Sequence, residues 1–383
     1  MWDAFLNRLG SALQNEAKRK QILGQFWRLI RRMMALSGWA WIFLASGVFL
    51  AMHWIGERNL TTGFLLFLPP VIWFLPLLFV LPACLIAARK TFLFVLLITA
   101  WLLYWGLDWR PGAADELLTQ PSTRGPNTLT VLTNNRGQHA GQSLQPFKNL
   151  TQPDLMVFQE ASARAAGYLN APGYTEFIDA KSIGEFTLLS RFPIKTAELL
   201  PNPDDPSKPH LFAARFVVAW RDNQEIAVYS VHLPSPRDFL LALRRGAFLY
   251  GVLGVAGGSW SEKKQHYESF FDQHLRFTES LLQQVRSDPL PVVVAGDFNA
   301  PSVGYIHTLL TQDLADTQET SGSGFGFTFP GTTHNPLSLG GPWIRIDCLF
   351  VSTAWRSLAS MAEPERRSQH RAACAVLEFQ TTP

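Results

Sequence analysis

Cysteine is scarce in this sequence of 383 residues, and no stripe of basic residues runs through its C-terminal two-thirds. Only three cysteines occur, and Cys84 lies in an apolar run, so Cys348 and Cys374 could form one bridge at most. A small fold held together by several disulfides is therefore excluded. Residues 108–383 carry 23 basic and 27 acidic side chains, a balance that is not typical of proteins that bind duplex phosphates.

Charged side chains are also missing from three long apolar stretches near the N-terminus, at residues 37–56, 61–88 and 91–107. At 1.5 Å per residue, about 20 residues are enough to cross a hydrocarbon core of about 30 Å. The second stretch contains four prolines, which membrane helices tolerate when neighbouring groups satisfy the freed carbonyls. The sequence therefore predicts about three transmembrane helices within residues 37–107 and an integral protein of the cell membrane.

Basic residues flank these stretches unevenly. Residues 1–36 hold seven lysines and arginines against two acidic residues, and the loop after the second stretch holds Arg89 and Lys90. Because positive loops stay in the cytoplasm, we expect a cytoplasmic N-terminus and an extracytoplasmic location for residues 108–383. Apolar positions alternate with the basic ones in residues 1–36, which indicates a basic amphipathic helix on the anionic surface of the lipid bilayer.

Residues 108–126 are rich in proline, glycine, serine, threonine and acidic residues, and we predict that they form a linker. Within the following domain, residues 127–383, short runs rich in Val, Phe and Leu alternate with polar turns. These runs predict strands at 129–133, 155–158, 186–190, 212–220, 226–232, 291–295, 344–351 and 373–379. Helical periodicity occurs at 266–286 and 303–310, so the pattern indicates an α+β fold with two packed sheets.

Side chains able to do chemistry lie where the predicted strands meet loops: Asn135, Glu160, His232, Asp297, Asn299, Asp347 and His370. Asp347 is unusual because Ile346, Leu349 and Phe350 surround it. Burying an unpaired carboxylate there costs several kcal/mol, so we expect a histidine partner. Arg345, two residues earlier, is a candidate for binding an anionic substrate. Polar groups at the ends of several strands indicate one site at an edge of the sandwich.

In chain order, the motifs T-x-N, QE, LSRFP, VHL, GDFN, TFP and RID, followed by a histidine, resemble the endonuclease/exonuclease/phosphatase superfamily. That superfamily includes deoxyribonuclease I, abasic-site endonucleases, neutral sphingomyelinases and inositol phosphatases. The resemblance covers residues 127–380, and the apolar helices before the domain are similar to those of membrane-anchored bacterial members. It implies a four-layered α/β sandwich, with two packed mixed β-sheets flanked by helices, and a metal-dependent phosphoester hydrolase.

The resemblance also implies a metal site and a substrate site. Glu160 resembles the family's carboxylate ligand of Mg²⁺ (or Mn²⁺), a hard cation that prefers oxygen. Asn135 would help to hold the metal or the scissile phosphate, and Asn299 would hydrogen-bond a phosphate oxygen. The implied reaction is in-line attack of water on a phosphodiester or a phosphomonoester.

His370 and Asp347 resemble the family's histidine–carboxylate pair, in which the carboxylate fixes the imidazole tautomer. Asp297 would orient or deprotonate the attacking water, and His232 matches a second histidine near the leaving group. One departure is Gln369, which takes the place of the family's usual aspartate. A catalytically silent domain that binds a phosphorylated ligand is therefore an open alternative.

The motifs do not separate lipid, nucleic-acid and inositol phosphate substrates. An apolar insertion at 235–261 contains Arg244 and Arg245. It is either a helix packed on the protein or a lid that dips into the membrane and admits a lipid headgroup. The expected location and the negative charge of the domain favour a lipid or another extracytoplasmic phosphoester, and a nuclease is the alternative. No sequence feature indicates an oligomeric state.

Overall fold

The computed structural model describes residues 16–112, 115–137, 142–204, 209–221, 224–236, 260–332 and 340–380. The chain divides into two compact units, of which the first comprises Met1–Phe49 and Val71–Leu103. The second comprises Leu50–Pro70 and Tyr104–Pro383. The short segment between the first two apolar stretches therefore belongs to the same unit as the C-terminal region.

Apolar helices build the first unit. They are α1 (Glu16–Trp54, whose last residues lie in the second unit), α3 (Val71–Phe74), α4 (Leu77–Ala87) and α5 (Arg89–Trp101). By length and composition, α1 and the helical stretch Arg89–Gly106 could each cross a membrane. Helices α1 and α5 approach closely at Gly38, where a Cβ would lie 2.6 Å from Thr91 Cγ2. A side chain at this glycine would force the two helices apart.

Two of the N-terminal predictions differ from the observed helices. The stretch 61–88 is divided among α2 (Leu60–Leu65, in the second unit), α3 and α4. Prolines lie in both interruptions, and proline removes a helical hydrogen bond and clashes with the preceding turn. Residues 16–36, predicted to form a separate amphipathic helix, continue without a break into the apolar part of α1. Residues 1–15 lie outside the described part of the chain.

The second unit contains two six-stranded sheets. In chain order, the strands of these sheets are β2 (Thr128–Asn135), β3 (Leu155–Gln159), β4 (Asp179–Ile183), β5 (Phe186–Ser190), β6 (Ile194–Pro201), β7 (Pro209–Ala219), β8 (Glu225–His232), β9 (Val292–Asp297), β10 (Ala315–Asp316), β12 (Asp347–Val351), β13 (Trp355–Ala362) and β14 (Ala373–Phe379). A separate two-stranded sheet pairs β1 (Arg110–Pro111) with β11 (Ser323–Gly324).

Both large sheets are mixed. The first has the order β13-β14-β2-β3-β5-β4, and the second has the order β10-β12-β9-β8-β7-β6. In each sheet the central pair is parallel, namely β2 with β3 and β8 with β9, and the other pairs are antiparallel. The two parallel pairs matter for the site, because parallel neighbours deliver their C-terminal ends to the same edge of a sheet.

The sheets pack face to face, and helices cover their outer faces. Between the sheets lies a core that includes Val131 of the first sheet and Val293 of the second. Helices α9 (Trp260–Ser287) and α10 (Tyr305–Leu310) pack on the second sheet, and α6 (Asp115–Thr119), α7 (Gln145–Thr151) and α8 (Ala165–Leu169) pack on the first. This is the predicted four-layered sandwich. All three cysteines are free and buried, so no disulfide contributes to it.

Residues 108–126, predicted to be a linker, are packed into the second unit. Leu118 of α6 is fully buried in the core beneath the first sheet. The Arg124 guanidinium donates to the carbonyl oxygens of Leu117 at 2.8 Å and Thr151 at 2.7 Å. Polar composition indicated a loop, but the few apolar side chains and this arginine fix the segment in place.

His274 on α9 is a buried titratable group whose protonation should lower stability. Its Nδ1 lies 3.1 Å from the carbonyl oxygen of Phe270, and burial lowers its pKa from 6.5 to about 4. Because the unfolded chain takes up this proton at a higher pH than the folded chain, the free energy of unfolding falls between about pH 6.5 and 4, by up to about 3 kcal/mol. The thermal midpoint of His274→Gln should fall less than that of wild type between pH 7 and pH 4.5. Equal losses in the two proteins would contradict this assignment.

Candidate active site

Three neighbouring strands of the second sheet bring polar residues to one level. In the register of β8, β9 and β12, His232 is paired with Asp297, which is paired in turn with Asp347. From the first sheet, β2 ends in Asn135, and Glu160 directly follows β3. The Asn135 amide nitrogen donates to Asp297 Oδ2 at 2.9 Å and to Glu160 Oε1 at 3.2 Å. The ends of both sheets therefore meet in one site.

His370 joins this cluster from the loop before β14. Its Nδ1 lies 3.0 Å from Asp347 Oδ2, and its Nε2 lies 3.7 Å from Asp297 Oδ2. Burial alone would lower the pKa of His370, but the carboxylates of Asp347 and Asp297 raise it to about 9. The imidazole is therefore a cation at neutral pH. It is the histidine partner that the apolar surroundings of Asp347 predict.

Neighbouring groups hold both members of this pair. The backbone N–H of Asp347 donates to Thr328 Oγ1 at 3.1 Å. The buried Arg366 guanidinium forms an ion pair with Glu363 at 2.7 Å and donates to the carbonyl oxygen of His370 at 3.0 Å. The threonine of the TFP motif and the arginine before the terminal histidine thus fix the orientation of the pair.

His232 has its own carboxylate partner, Glu185, which the sequence analysis missed. Its Nδ1 lies 2.9 Å from Glu185 Oε1, and its Nε2 lies 3.8 Å from Asp297 Oδ2. Burial lowers the pKa of His232. The hydrogen bond to Glu185 and the charge of Asp297 raise the pKa by more than burial lowers it, so the net shift is upward. Glu185 lies in the turn before β5, and an acidic residue directly before a fully buried strand is its only sequence signal.

Arg345 lies outside this site, so the prediction that it binds substrate is wrong. Its guanidinium donates to Asp108 Oδ2 at 2.7 Å and to Asp316 Oδ2 at 2.6 Å, and the residue is only 3% exposed. Its position two residues before Asp347 indicated the site, but its side chain points to buried carboxylates instead. The guanidinium therefore connects Asp108 to Asp316 of β10 and to the segment directly before β12.

The two asparagines are oriented by different partners. Asn135 Oδ1 accepts from the backbone N–H of Gly137 at 2.8 Å, so its nitrogen faces the carboxylates. Asn135 is therefore a hydrogen-bond donor to these carboxylates, and its part in holding the metal or the scissile phosphate stays a prediction. Asn299 donates from its backbone N–H to Asp297 Oδ1 and from Nδ2 to the Leu233 carbonyl oxygen, both at 2.9 Å. Contacts of either amide with a phosphate stay predictions.

Two site residues have a backbone conformation that side chains rarely adopt. The φ angles of Glu160 and Asn299 are 49° and 48°. Left-handed backbone at a residue other than glycine is strained and persists where the surroundings enforce it, most often at functional sites. Glu160 directly follows β3, and Asn299 lies two residues after the end of β9, so both left-handed residues lie where a buried strand ends in the site.

Gln369 and the apolar insertion flank the site in the sequence. A Cβ at Gly137 would lie 3.2 Å from Gln369 Oε1, so this amide packs beside the loop that follows Asn135. The family's aspartate would place a further negative charge there. The insertion at 235–261 lies outside the described residues from 237 to 259, and its role as a lid stays a prediction.

The donor atoms of the site suit a divalent cation. One oxygen of the buried Asp347 carboxylate, Oδ1, has no hydrogen-bond partner in the described part of the chain. The Glu160 side chain is 32% exposed and offers its carboxylate to the site. Ligand atoms of Asp297, Asp347 and His370 lie within 4.8 Å of one another, but a protonated histidine cannot bind a metal. The carboxylate oxygens, Glu160 foremost, therefore fit Mg²⁺ or Mn²⁺.

A second cluster, formed by His307, Asp316 and Glu319, also brings ligand atoms together. Arg345 already provides the cation in this cluster, because its guanidinium bonds Asp316 and lies 3.4 Å from His307 Nε2. The Arg345 guanidinium thus balances negative charge of the cluster without a metal, and the cluster supports the fold.

Comparisons with known proteins identify a family. The model of the Endonuclease/Exonuclease/phosphatase family matches residues 129–370, and a search of curated proteins found no match.

Among solved structures, an endonuclease/exonuclease/phosphatase from Bacteroides vulgatus is 15% identical to this chain with a TM-score of 0.47. The match covers 66% of this chain and 99% of that structure's chain. A mannosyl-6-phosphatase from Bacteroides thetaiotaomicron is 18% identical with a TM-score of 0.43, covering 66% and 100%. The human nocturnin catalytic domain with bound sulfate is 12% identical with a TM-score of 0.40, covering 67% and 100%. Because the family model matches more than half of the chain, this protein belongs to the endonuclease/exonuclease/phosphatase family.

Proposed function

We propose that this protein is a divalent-metal-dependent phosphoester hydrolase anchored in a membrane. The observation that carries the proposal is the meeting of two carboxylates, Glu160 and Asp297, beside the His370–Asp347 ion pair. These groups come from distant parts of the chain, and a cation, a general base and a protonated histidine in one site are what phosphoryl transfer to water requires.

Each group has a chemical task in the proposed reaction. Burial raises the pKa of Asp297 against the lowering effect of His370, so its carboxylate can accept a proton from the attacking water. The His370 cation donates a hydrogen bond to the phosphoryl oxygen on which negative charge develops. His232, held by Glu185, would protonate the leaving oxygen. A cation bound at Glu160 would neutralise phosphate charge and polarise the phosphorus centre.

A lipid bilayer is the proposed partner of the first unit, and a lipid or another extracytoplasmic phosphodiester is the proposed substrate. Large apolar side chains of this unit are exposed, with Phe79 at 80%, Phe43 at 73% and Leu97 at 65%. Phe43 and Leu97 lie on the two helices that are long enough to span a bilayer, and Phe79 lies on the shorter apolar helix α4, so this exposed surface supports lipid as the surroundings of the unit. The net negative charge of residues 108–383 argues against polyanionic nucleic acid as the substrate.

A substrate panel on the full chain in detergent tests this proposal. We expect hydrolysis of phospholipid in mixed micelles and of bis-p-nitrophenyl phosphate, lost with EDTA and in His370→Ala. Preferential nicking of supercoiled plasmid would instead identify a nuclease. Failure to hydrolyse any of these esters or p-nitrophenyl phosphate, with Mg²⁺ or with Mn²⁺, would favour a domain that only binds phosphorylated ligands.

A further inference from the structure

Glu57 lies between the first two predicted membrane spans, yet it is buried in the same unit as the active site. Leu50–Pro70 belongs to the second unit, and Glu57 is 2% exposed there. Its Oε2 accepts the backbone N–H of Ile306, in the first turn of α10, at 3.1 Å. Burial raises the pKa of Glu57 to about 7. A buried carboxylate is costly, so its position at this helix end requires an explanation.

Helix α10 has no capping side chain of its own. Its N-cap residue is Gly304, which makes no side-chain hydrogen bond, although the first N–H groups of a helix need an acceptor. A Cβ at Gly304 would lie 2.3 Å from Glu57 Oε1. The glycine therefore leaves space for the Glu57 carboxylate, and the cap comes from a residue far away in the chain.

The rest of the segment is fitted to the same helix. The Arg58 guanidinium lies 3.9 Å over the Tyr305 ring. Gly56 has a φ of 44°, and a Cβ there would lie 2.5 Å from the backbone nitrogen of Tyr305. Thr62 Oγ1 donates to the Gly56 carbonyl oxygen at 2.5 Å. Contacts on both sides of Glu57 thus hold its carboxylate at the start of α10.

This helix start is joined directly to the active site. Residues 298–304 connect Asp297 to α10, and Asn299 is held at the near end by Asp297. Further along, the Ser302 N–H donates to the Arg345 carbonyl oxygen at 3.2 Å, and the Gly304 N–H donates to the Pro301 carbonyl oxygen at 2.8 Å. The far end of the connection is α10 itself. If the first turn of α10 became more mobile, Asn299 at the other end of this connection would be held less rigidly in its left-handed conformation.

We propose that Glu57 is a positioning residue for the hydrolysis, which caps α10 in place of a local side chain and so holds Asn299 in the active site. This inference rests on the proposed function. It makes the segment between the first two apolar stretches part of the hydrolytic unit, so a domain cut free near residue 108 lacks a piece of its own support.

A compensating pair of substitutions in the full chain tests this inference. Glu57→Ala removes the cap and should lower kcat about tenfold or more, because small displacements of reacting groups are costly. Gly304→Ser alone should also lower kcat, because its Cβ collides with Glu57. The backbone at Gly304 (φ −81°, ψ 172°) suits a serine N-cap, so the double variant Glu57→Ala/Gly304→Ser should recover most of the wild-type kcat. Glu198→Ala, which removes an exposed carboxylate, is the matched control.

Two readouts separate positioning from general destabilisation. The apparent affinity for Mg²⁺ should stay unchanged in Glu57→Ala, and amide hydrogen exchange should accelerate in residues 299–310 and slow again in the double variant. An unchanged kcat in Glu57→Ala, or no recovery in the double variant, would overturn the inference. The activity of the wild-type chain is measured first. A wild-type chain that hydrolyses no phosphoester would contradict the proposed function itself, and this outcome is separate from any comparison of variants.

Discussion

Replacing Asp297 with asparagine is expected to lower kcat by about 10²–10⁴-fold, the usual contribution of a positioned general base. Asparagine keeps the shape of the side chain and can still accept from the backbone N–H of Asn299 through Oδ1. It cannot accept a proton from water, and it removes one of the charges that hold His370 as a cation. Initial rates on the best phosphodiester of the panel measure the effect.

The matched control for this substitution is Asp204→Asn, which removes an exposed carboxylate of the same domain. It should keep wild-type activity. Far-UV circular dichroism and the thermal midpoint should show that Asp297→Asn is folded, although its amide nitrogen replaces the oxygen that accepts from Asn135. An Asp297→Asn protein that retained more than about a tenth of the wild-type kcat would rule out Asp297 as the base.

Replacing Glu160 with glutamine is expected to raise the Mg²⁺ concentration needed for half-maximal activity by about 100-fold or more, since even an outer-shell partner of a metal is worth 10–100-fold. In our account Glu160 offers the most accessible carboxylate of the site, and a neutral amide is a far weaker ligand for a hard cation. EDTA should abolish the activity of the wild type, and added Mg²⁺ or Mn²⁺ should restore it.

Glu185→Gln is the informative comparison for Glu160→Gln. Glu185 lies in the same site but contacts His232, so its loss should lower kcat and leave the Mg²⁺ dependence as it is in the wild type. If both substitutions changed the metal dependence equally, or if neither did, the assignment of Glu160 as the metal ligand would be wrong.

The central strands of both sheets are predictable from the sequence, because they are buried on both faces. Strand β5 is found as predicted, and β2, β3 and β9 extend the predicted runs by a few residues. The four edge strands of the two sheets, β4, β6, β10 and β13, were missed. β4 (DAKSI) is half-buried along its length, so its sequence has no apolar run to reveal it.

Residues at the ends of buried strands were also predictable, and residues positioned by tertiary contacts were not. Asp297 ends one apolar strand and Asp347 begins its antiparallel neighbour in the same sheet, so their chemistry is visible in the pattern. Glu185 and Glu57 lie in short turns, where a carboxylate is most often solvated. Their roles depend on His232 and on α10, which reach them only in the folded chain. Arg345 shows the converse, because its place in the RID motif says nothing about where its long side chain points.

The most direct test of this account is the anomalous scattering of Mn²⁺ soaked into crystals of the full chain. We predict a peak within coordination distance of the Glu160 carboxylate, between the strand ends that hold Asn135 and Asp297. No peak should occur at the His307–Asp316–Glu319 cluster, where the Arg345 guanidinium provides the positive charge. Mn²⁺ bound only at that second cluster, or absent from Glu160 at saturating concentration, would contradict the proposal that these distant residues form one metal-dependent hydrolytic site.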